Sequence, residues 1–356
     1  MNVKYIEGTT KTLTSRGLSE VGNCLLPPNS VCVSCIGSDL GKVVMTTQET
    51  VTNQQINSII PTDGVDADFV YYAMLILGKE LNYISKTSTA VPIVNKSSFS
   101  RYSIKLPDYN EQRRISSVLS TLDAKIANNT KINHHLEQMA QAIYAERFGN
   151  EEPDGVLGDY CTIKSGFAFK SSWWQDRGVK VIKIKNITNM GLDLNDCSFV
   201  SDDKIMLAKE FIAYTGDLLI AMTGATIGKF AIIPQSEELL FVNQRVGKFF
   251  FKDVSVLERL PFLWCTLKQD SVFYEIINRG QGSAQPNISP TDIMSIPIFI
   301  PSVDELAGFN KSLQSSFETI TANAAESEKL ALLRDSLLPR LMSGELSVAD
   351  LTDAKL

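Results

Sequence analysis

The sequence predicts an α+β fold: two repeated α/β globular units separated by two long helices that pair antiparallel as a coiled coil. Three observations predict it. Residues recur at a constant offset through the later part of each repeat. Short apolar runs bounded by Gly and Pro mix with helical stretches without a regular βαβ alternation. Each repeat then ends in a stretch whose apolar residues alternate steps of four and three.

The offset carries Pro92 to Pro286 and Pro107 to Pro301. It also carries Glu111 to Glu305, Ile115 to Phe309, Leu119 to Leu313, Asn129 to Asn323 and Leu136 to Leu330. Upstream, with small gaps, residues 37–42 correspond to 224–229, 51–56 to 241–246, and 68–71 to 261–264. The second copy opens with Val156-Leu157-Gly158-Asp159-Tyr160, then Ser165-Gly166-Phe167 and a run ending at Asn186, for which the first has no counterpart. The first copy is therefore expected to begin roughly forty-five residues into the unit. The organisation that follows is an N-terminally incomplete unit over 1–105, a long helix over 106–150, a complete unit over 151–300, a second long helix over 301–344 and a tail over 345–356.

Within the globular units, residues 217–222 and 230–233 read as strands. Each unit also carries a strand running up to Pro107 or Pro301, after a turn of small residues, and one helix, around 69–77 and 262–278. In the long helices apolar residues fall at 115, 119, 122, 126, 136, 140 and 143, and again at 309, 313, 320, 330, 337 and 341. A helix of ~38 residues spans ~57 Å. Antiparallel pairing sends the two units to opposite ends of a rod and brings Asn129 and Asn323 near its centre. Buried amides there fix the register at some cost in stability.

The chain has 356 residues and is 44% apolar, more than one ordinary core requires. No apolar run reaches the ~18 residues of a membrane span, and the first residues lack the charged-then-apolar order of a secretion signal. Cys32-x-x-Cys35 is the one close cysteine pair; without a second pair or nearby histidines it reads as buried packing, and the cysteine usage fits a reducing cytoplasm. The net charge of −6 is not that of a simple DNA binder. Its distribution qualifies this: residues 1–105 and 153–300 are near neutral, and the acidity sits in 106–152 and 301–356, leaving room for local basic faces.

Catalytic chemistry is not visible. The only histidines, His134 and His135, are neighbours on a long helix and read as surface or seam residues. No metal-ligand spacing is present. Gly37-x-x-x-Gly41-Lys42 and Gly224-x-x-x-Gly228-Lys229 invite a phosphate-loop reading, but that loop needs four residues between its glycines and Ser or Thr after the lysine. A glycine turn into a strand, with the lysine beside it, is the better reading. Pro27-Pro28-Asn29 has the wrong order for a methyltransferase motif.

The layout resembles the specificity subunits of type I restriction–modification systems. The likeness rests on Pro107-x-x-x-Glu111-Gln112-x-x-Ile115 leading to Leu122-Asp123-x-Lys125-Ile126 and Leu136-Glu137-x-x-Ala140-x-x-Ile143. It rests also on Leu337-Leu338-Pro339-x-Leu341-x-Ser343-Gly344-Glu345-Leu346, and on the twice-occurring Gly-x-x-x-Gly-Lys followed by Asn-Gln. It spans nearly the whole chain; the incomplete first unit departs from it. The resemblance implies a non-catalytic DNA-binding scaffold in the cytoplasm. Each globular unit, a target recognition domain, would read half of a bipartite double-stranded DNA target. The helices would set the gap and dock two methyltransferase subunits, with restriction–translocase subunits outside and no membrane partner. S-adenosylmethionine, ATP and Mg2+ would belong to those partners, and this chain would carry no cofactor and no metal.

Phosphate contacts need Lys or Arg, and base edges need Arg, Asn, Gln, Ser or Thr. In the complete unit the candidates are Lys183, Lys185, Asn186, Lys229 and Arg245, with Ser165, Lys170, Gln281 and Gln285 in loops; Lys42 and Gln54 are candidates in the first unit. Each also reads as a solvated surface group. Asn243 and Gln244, like Asn53 and Gln54, read alternatively as strand-end residues that satisfy backbone. Two other functions fit parts of the pattern: a helical assembly adaptor that reads no sequence, and a nucleotide-binding enzyme built on the Gly–Lys turns.

Overall fold

The computed structural model describes residues 4–6, 8–9, 11–87, 93–189, 191–252, 254–281 and 286–353. The chain divides into two compact units, residues 1–125 with 330–356, and residues 126–329.

In the first unit β1 (Tyr5–Ile6), β2 (Val31–Ser34), β3 (Val43–Thr46) and β4 (Ile56–Ile59) form a sheet in the order β1-β3-β2-β4. β1 joins parallel and the other pairs are antiparallel. Every residue of β2 and β3 is buried, because α1 (Ala67–Thr87) lies on the sheet and seats Phe69, Tyr72 and Leu81 in its core. Cys32 and Cys35 are buried here as free thiols. The N-terminal strand is held by Lys4, which pairs with Asp68 at 2.8 Å and sits 4.8 Å from the centre of the Tyr72 ring. α2 (Lys96–Phe99) is capped by the Asn95 side chain, and α3 (Tyr109–Phe148) begins one residue after Asp108.

The second unit contains β5 (Gly155–Val156), α4 (Leu157–Tyr160), β6 (Thr162–Ser165), β7 (Trp174–Gln175), β8 (Val179–Ile182), β9 (Ser198–Val200), β10 (Ile212–Ala213), β11 (Leu218–Ala221), β12 (Phe230–Ile232), β13 (Leu240–Val242) and β14 (Val246–Phe250). It continues with α5 (Val256–Leu267), α6 (Asp270–Gly280), α7 (Pro290–Met294), β15 (Pro297–Ile298) and the part of α8 (Val303–Ser343) up to residue 329, the rest of α8 belonging to the first unit. One sheet runs β12-β11-β14-β6, a second β10-β13-β8-β9-β7, and β15 pairs with β5. No helix among the described residues is long and apolar enough to cross a membrane.

The repeat is one of register as well as sequence. Val33 opposes Val43 on one side and Asn57 on the other; Ile220 opposes Phe230 and Gly247 in the same way. The Gly–Lys turns match bond for bond. Leu40, Gly41 and Lys42 donate their amides to Gly37, Ser34 and Asp39; Ile227, Gly228 and Lys229 donate theirs to Gly224, Ala221 and Thr226. Those amides are spent inside the protein, so neither turn offers the free amide nest that holds a phosphate. Gly41 is obligatory: its φ is +88°, and a Cβ there would stand 2.0 Å from the Gly78 carbonyl oxygen on α1.

The long helices run antiparallel within each unit. In the first, Asp123 on α3 meets Arg334 on α8 at 2.7 Å, while Ile115 and Leu119 share a core with Leu337, Leu338 and Leu341. In the second, Asn129 meets Glu326, and Tyr144 and Phe148 pack on Phe309.

Two sequence expectations change. The helix expected over 262–278 is two helices. The backbone turns extended at Gln269, whose side chain caps the Cys265 carbonyl at 3.0 Å and bonds Gln141 on α3 at 2.9 Å. The strand expected before Pro107 is absent, although its counterpart before Pro301 forms β15; β15 has β5 as a partner, and residues 102–107 have none among the described residues. The turns at 89–92 and 283–285 lie outside the described residues.

Candidate nucleic-acid interface

Two of the basic candidates of the second unit, Lys170 and Lys183, lie against two tryptophans. β8 delivers Lys183 at its end, and a tight turn over residues 184–186 follows. The Lys183 ammonium stands 3.4 Å from the centre of the Trp174 ring, on edge strand β7 of the same sheet. Burial, and then the neighbouring Lys185, hold the Lys183 ammonium below the usual lysine range. Lys185 is exposed and ion-paired with Asp196 at 2.8 Å. Lys170 lies 5.5 Å and Lys204 5.0 Å from the Trp173 ring, which stacks on Phe167 at 13°. Phe169 bridges the two groups, touching both Phe167 and Trp174.

Asn186 leaves the set of candidates. It is 1% exposed. Its carbonyl accepts from the Lys183 amide, and its amide nitrogen donates to the carbonyls of Asp193 and Asp196. With both ends committed to backbone it positions the lysines and has nothing left to offer a base edge.

Two candidates, Ser165 and Arg245, meet in a cleft of about 510 Å3, lined also by Gln244, Asn287 and Ser289 among others. Ser165 ends β6, and Arg245 projects from the turn between β13 and β14. Gln244 and Arg245 are exposed, and Arg245 has no ion-pair partner among the described residues. The Gln244 amide donates to the Phe167 carbonyl at 3.0 Å, which ties this cleft to the tryptophan group. Gln281 is exposed after the last turn of α6, apart from these residues in sequence, and Gln285 lies outside the described residues.

Lys229 and Lys42 occupy equivalent turns in different states. Lys42 pairs with Asp39 at 2.7 Å, and this contact holds the Asp39 carboxyl below the usual carboxylate range. In the second unit Thr226 stands in place of Asp39, and Lys229 has no ion-pair partner among the described residues. Gln54 is exposed on the rim of a separate cavity of the first unit, while the neighbouring Asn53 side chain accepts the Gln55 amide at 3.0 Å.

The reading of residue types missed Trp173 and Trp174. Their signal is present in the sequence, as two aromatics between Lys170 and Lys183. The register pair is joined by amide chemistry. Asn129 donates to Glu326 at 2.7 Å and to the Asn323 carbonyl at 3.4 Å, and Asn323 donates to Asn133 at 2.8 Å. The Asn129 carbonyl oxygen is buried with no hydrogen-bond partner among the described residues. Among those residues no cluster of His, Cys, Asp or Glu could hold a metal ion.

A family model for the type I restriction modification DNA specificity domain matches residues 2–138 and 154–331. The type I restriction enzyme MjaIX specificity subunit of Methanocaldococcus jannaschii is 26% identical, over 98% of this chain and 84% of the relative. The HindI specificity subunit of Haemophilus influenzae is 24% identical, over 97% of this chain and 90% of its own. The crystal structure of the type I restriction–modification S subunit of M. genitalium shares the fold, with a TM-score of 0.52 at 18% identity over 96% of this chain and 88% of that one.

Proposed function

The chain belongs to the type I restriction modification DNA specificity domain family, and from that premise we propose that it reads DNA sequence for a type I restriction–modification complex and performs no chemistry itself. The second unit reads one half of a bipartite target. Arg245, Gln244 and Ser165 face base edges, and Lys183, Lys185, Lys170 and Lys229 face phosphates. Two methyltransferase subunits and the restriction subunits dock on the complex and hold S-adenosylmethionine, ATP and Mg2+; the adenine to be modified flips into a methyltransferase pocket.

The observation that carries this reading is the cleft that brings Ser165, at the end of one strand, together with Gln244 and Arg245, from the turn between two others. Such donors and acceptors suit base edges, and an unpaired arginine suits guanine in particular. An adaptor that read no sequence would have no use for them.

The test is to co-express the chain with its methyltransferase and map methylated adenines across the genome. A single bipartite motif is expected. Arg245→Ala should relax one position of one half, by about 1–3 kcal/mol of discrimination, with the other half unchanged. Methylation without sequence preference would favour the adaptor reading instead.

A further inference from the structure

Each unit has its own copy of a three-stranded ladder, and the two copies differ at one edge. In the second unit β14 is flanked by β11 and by β6. In the first, its counterpart β4 pairs with β2, and no described residue pairs with its other side.

The segment that ends in β6 covers three elements of the second unit in turn. β5 pairs with β15, α4 packs on α7, and β6 pairs with β14 from Gly247–Ser165 to Phe250–Thr162. Asp154 adds a carboxylate bond to the Ile300 amide at 2.9 Å. The counterparts of those elements in the first unit are residues 103–104, α2 and β4. All contribute to one open cavity of about 810 Å3, through Ile104, Phe99, Lys96 and Ile56 among others. Its apolar wall is bare: Tyr102 and Ile104 are 41% and 37% exposed, while their counterparts Ile296 and Ile298 are 0% and 2% exposed. An unpaired strand edge beside an uncovered apolar wall is an acceptor for an added strand.

We propose that this groove of the first unit is a docking site for an acidic strand segment of a separate polypeptide, patterned like residues 154–165 of this chain. Charge supports the choice. Residues 151–165 carry Glu151, Glu152, Asp154 and Asp159 against one lysine, Lys164, whereas Lys96 lines the groove and Arg101 and Lys105 flank its wall, all three exposed. A second copy of this chain is a poor donor. Its own Leu157, Cys161 and Ile163 are buried in its second unit, which would have to open to release them.

The test titrates the full chain with a labelled synthetic peptide of the sequence 151–167, carrying Cys161→Ser, and follows anisotropy and amide exchange. One-to-one saturable binding is expected, with slowed exchange at 56–59 and none at 246–250. Ile104→Glu should weaken it at least tenfold, and Tyr102→Glu likewise should either variant fold poorly. A scrambled peptide should not bind. The proposal is overturned by no saturable binding up to about 1 mM, by protection confined to 246–250, or by binding indifferent to both substitutions. Concentration-dependent dimerisation of the chain alone that protects 56–59 would overturn the separate donor and assign the groove to a second copy.

Discussion

Lys183 and Asn186 share one turn, yet the fold gives them opposite tasks. Asn186 is turned inward to hold the loop, and Lys183 is laid across Trp174 at the surface. Removing the Asn186 side chain takes a partner from the Lys183 amide and from the carbonyls of the exposed Asp193 and Asp196; water replaces part of that loss, so each bond is worth about 0.5–1.5 kcal/mol. Asn186→Ala should therefore lower stability in chemical unfolding, and weaken DNA binding only through the loosened turn. Lys183→Ala and Lys185→Ala should instead leave unfolding almost unchanged. They should weaken binding to all DNA sequences and reduce the salt slope by about one per lysine, read by anisotropy across a salt series; an unchanged slope would remove both from the phosphate contacts. Residue type alone separates none of these roles. An asparagine that caps a turn and one that reads adenine present the same amide, and burial decides between them only once the chain has folded.

At the scale of elements the long helices were legible, because four–three apolar spacing survives for many turns and needs no knowledge of tertiary packing. Ile143 is the last apolar position that the spacing in the sequence picks out. The structure continues it through Tyr144 and Phe148, which pack both on Phe309 of the partner helix and on Phe262 of the globular core. The amides of the seam are a second legible feature, and the structure attaches a cost to them. Asn129 donates to its partner helix but buries its carbonyl oxygen without a bond, a penalty of about 1–3 kcal/mol. Asn129→Leu with Asn323→Leu should accordingly raise or preserve the melting temperature while losing unique pairing. Cysteines placed across the seam should then cross-link in more than one register. A double variant with one register and a lower melting temperature would show that shape, rather than the amides, aligns the helices. The short strands were not legible. β7, β9, β10 and β13 hold two or three residues each, too few for alternation to register, and every residue of β10 and β13 is buried.

For the molecule as a whole, duplication was the strongest message in the sequence, since one constant offset recurs across many unrelated residue types. The structure gives it physical content: β2, β3 and β4 match β11, β12 and β14 in register, residue for residue. A unit that recurs with its ladder intact is one that can be exchanged, and this bears directly on target choice. Residues 153–300 begin after α3 ends at Phe148 and stop before α8 begins at Val303, so a graft there leaves both long helices whole. Its weak point is the aromatic contact of Tyr144 and Phe148 with Phe262. Losing a large side chain from that core costs about 3–5 kcal/mol, so the donor unit must bring an aromatic residue to the place of Phe262. With that condition met, exchanging 153–300 for the equivalent unit of another family member should change one half of the methylated motif and leave the other half as it was. Methylome sequencing reads the outcome directly. A motif unaltered in both halves would deny the second unit its part in recognition, and a motif altered in both would mean that the two units do not read independently.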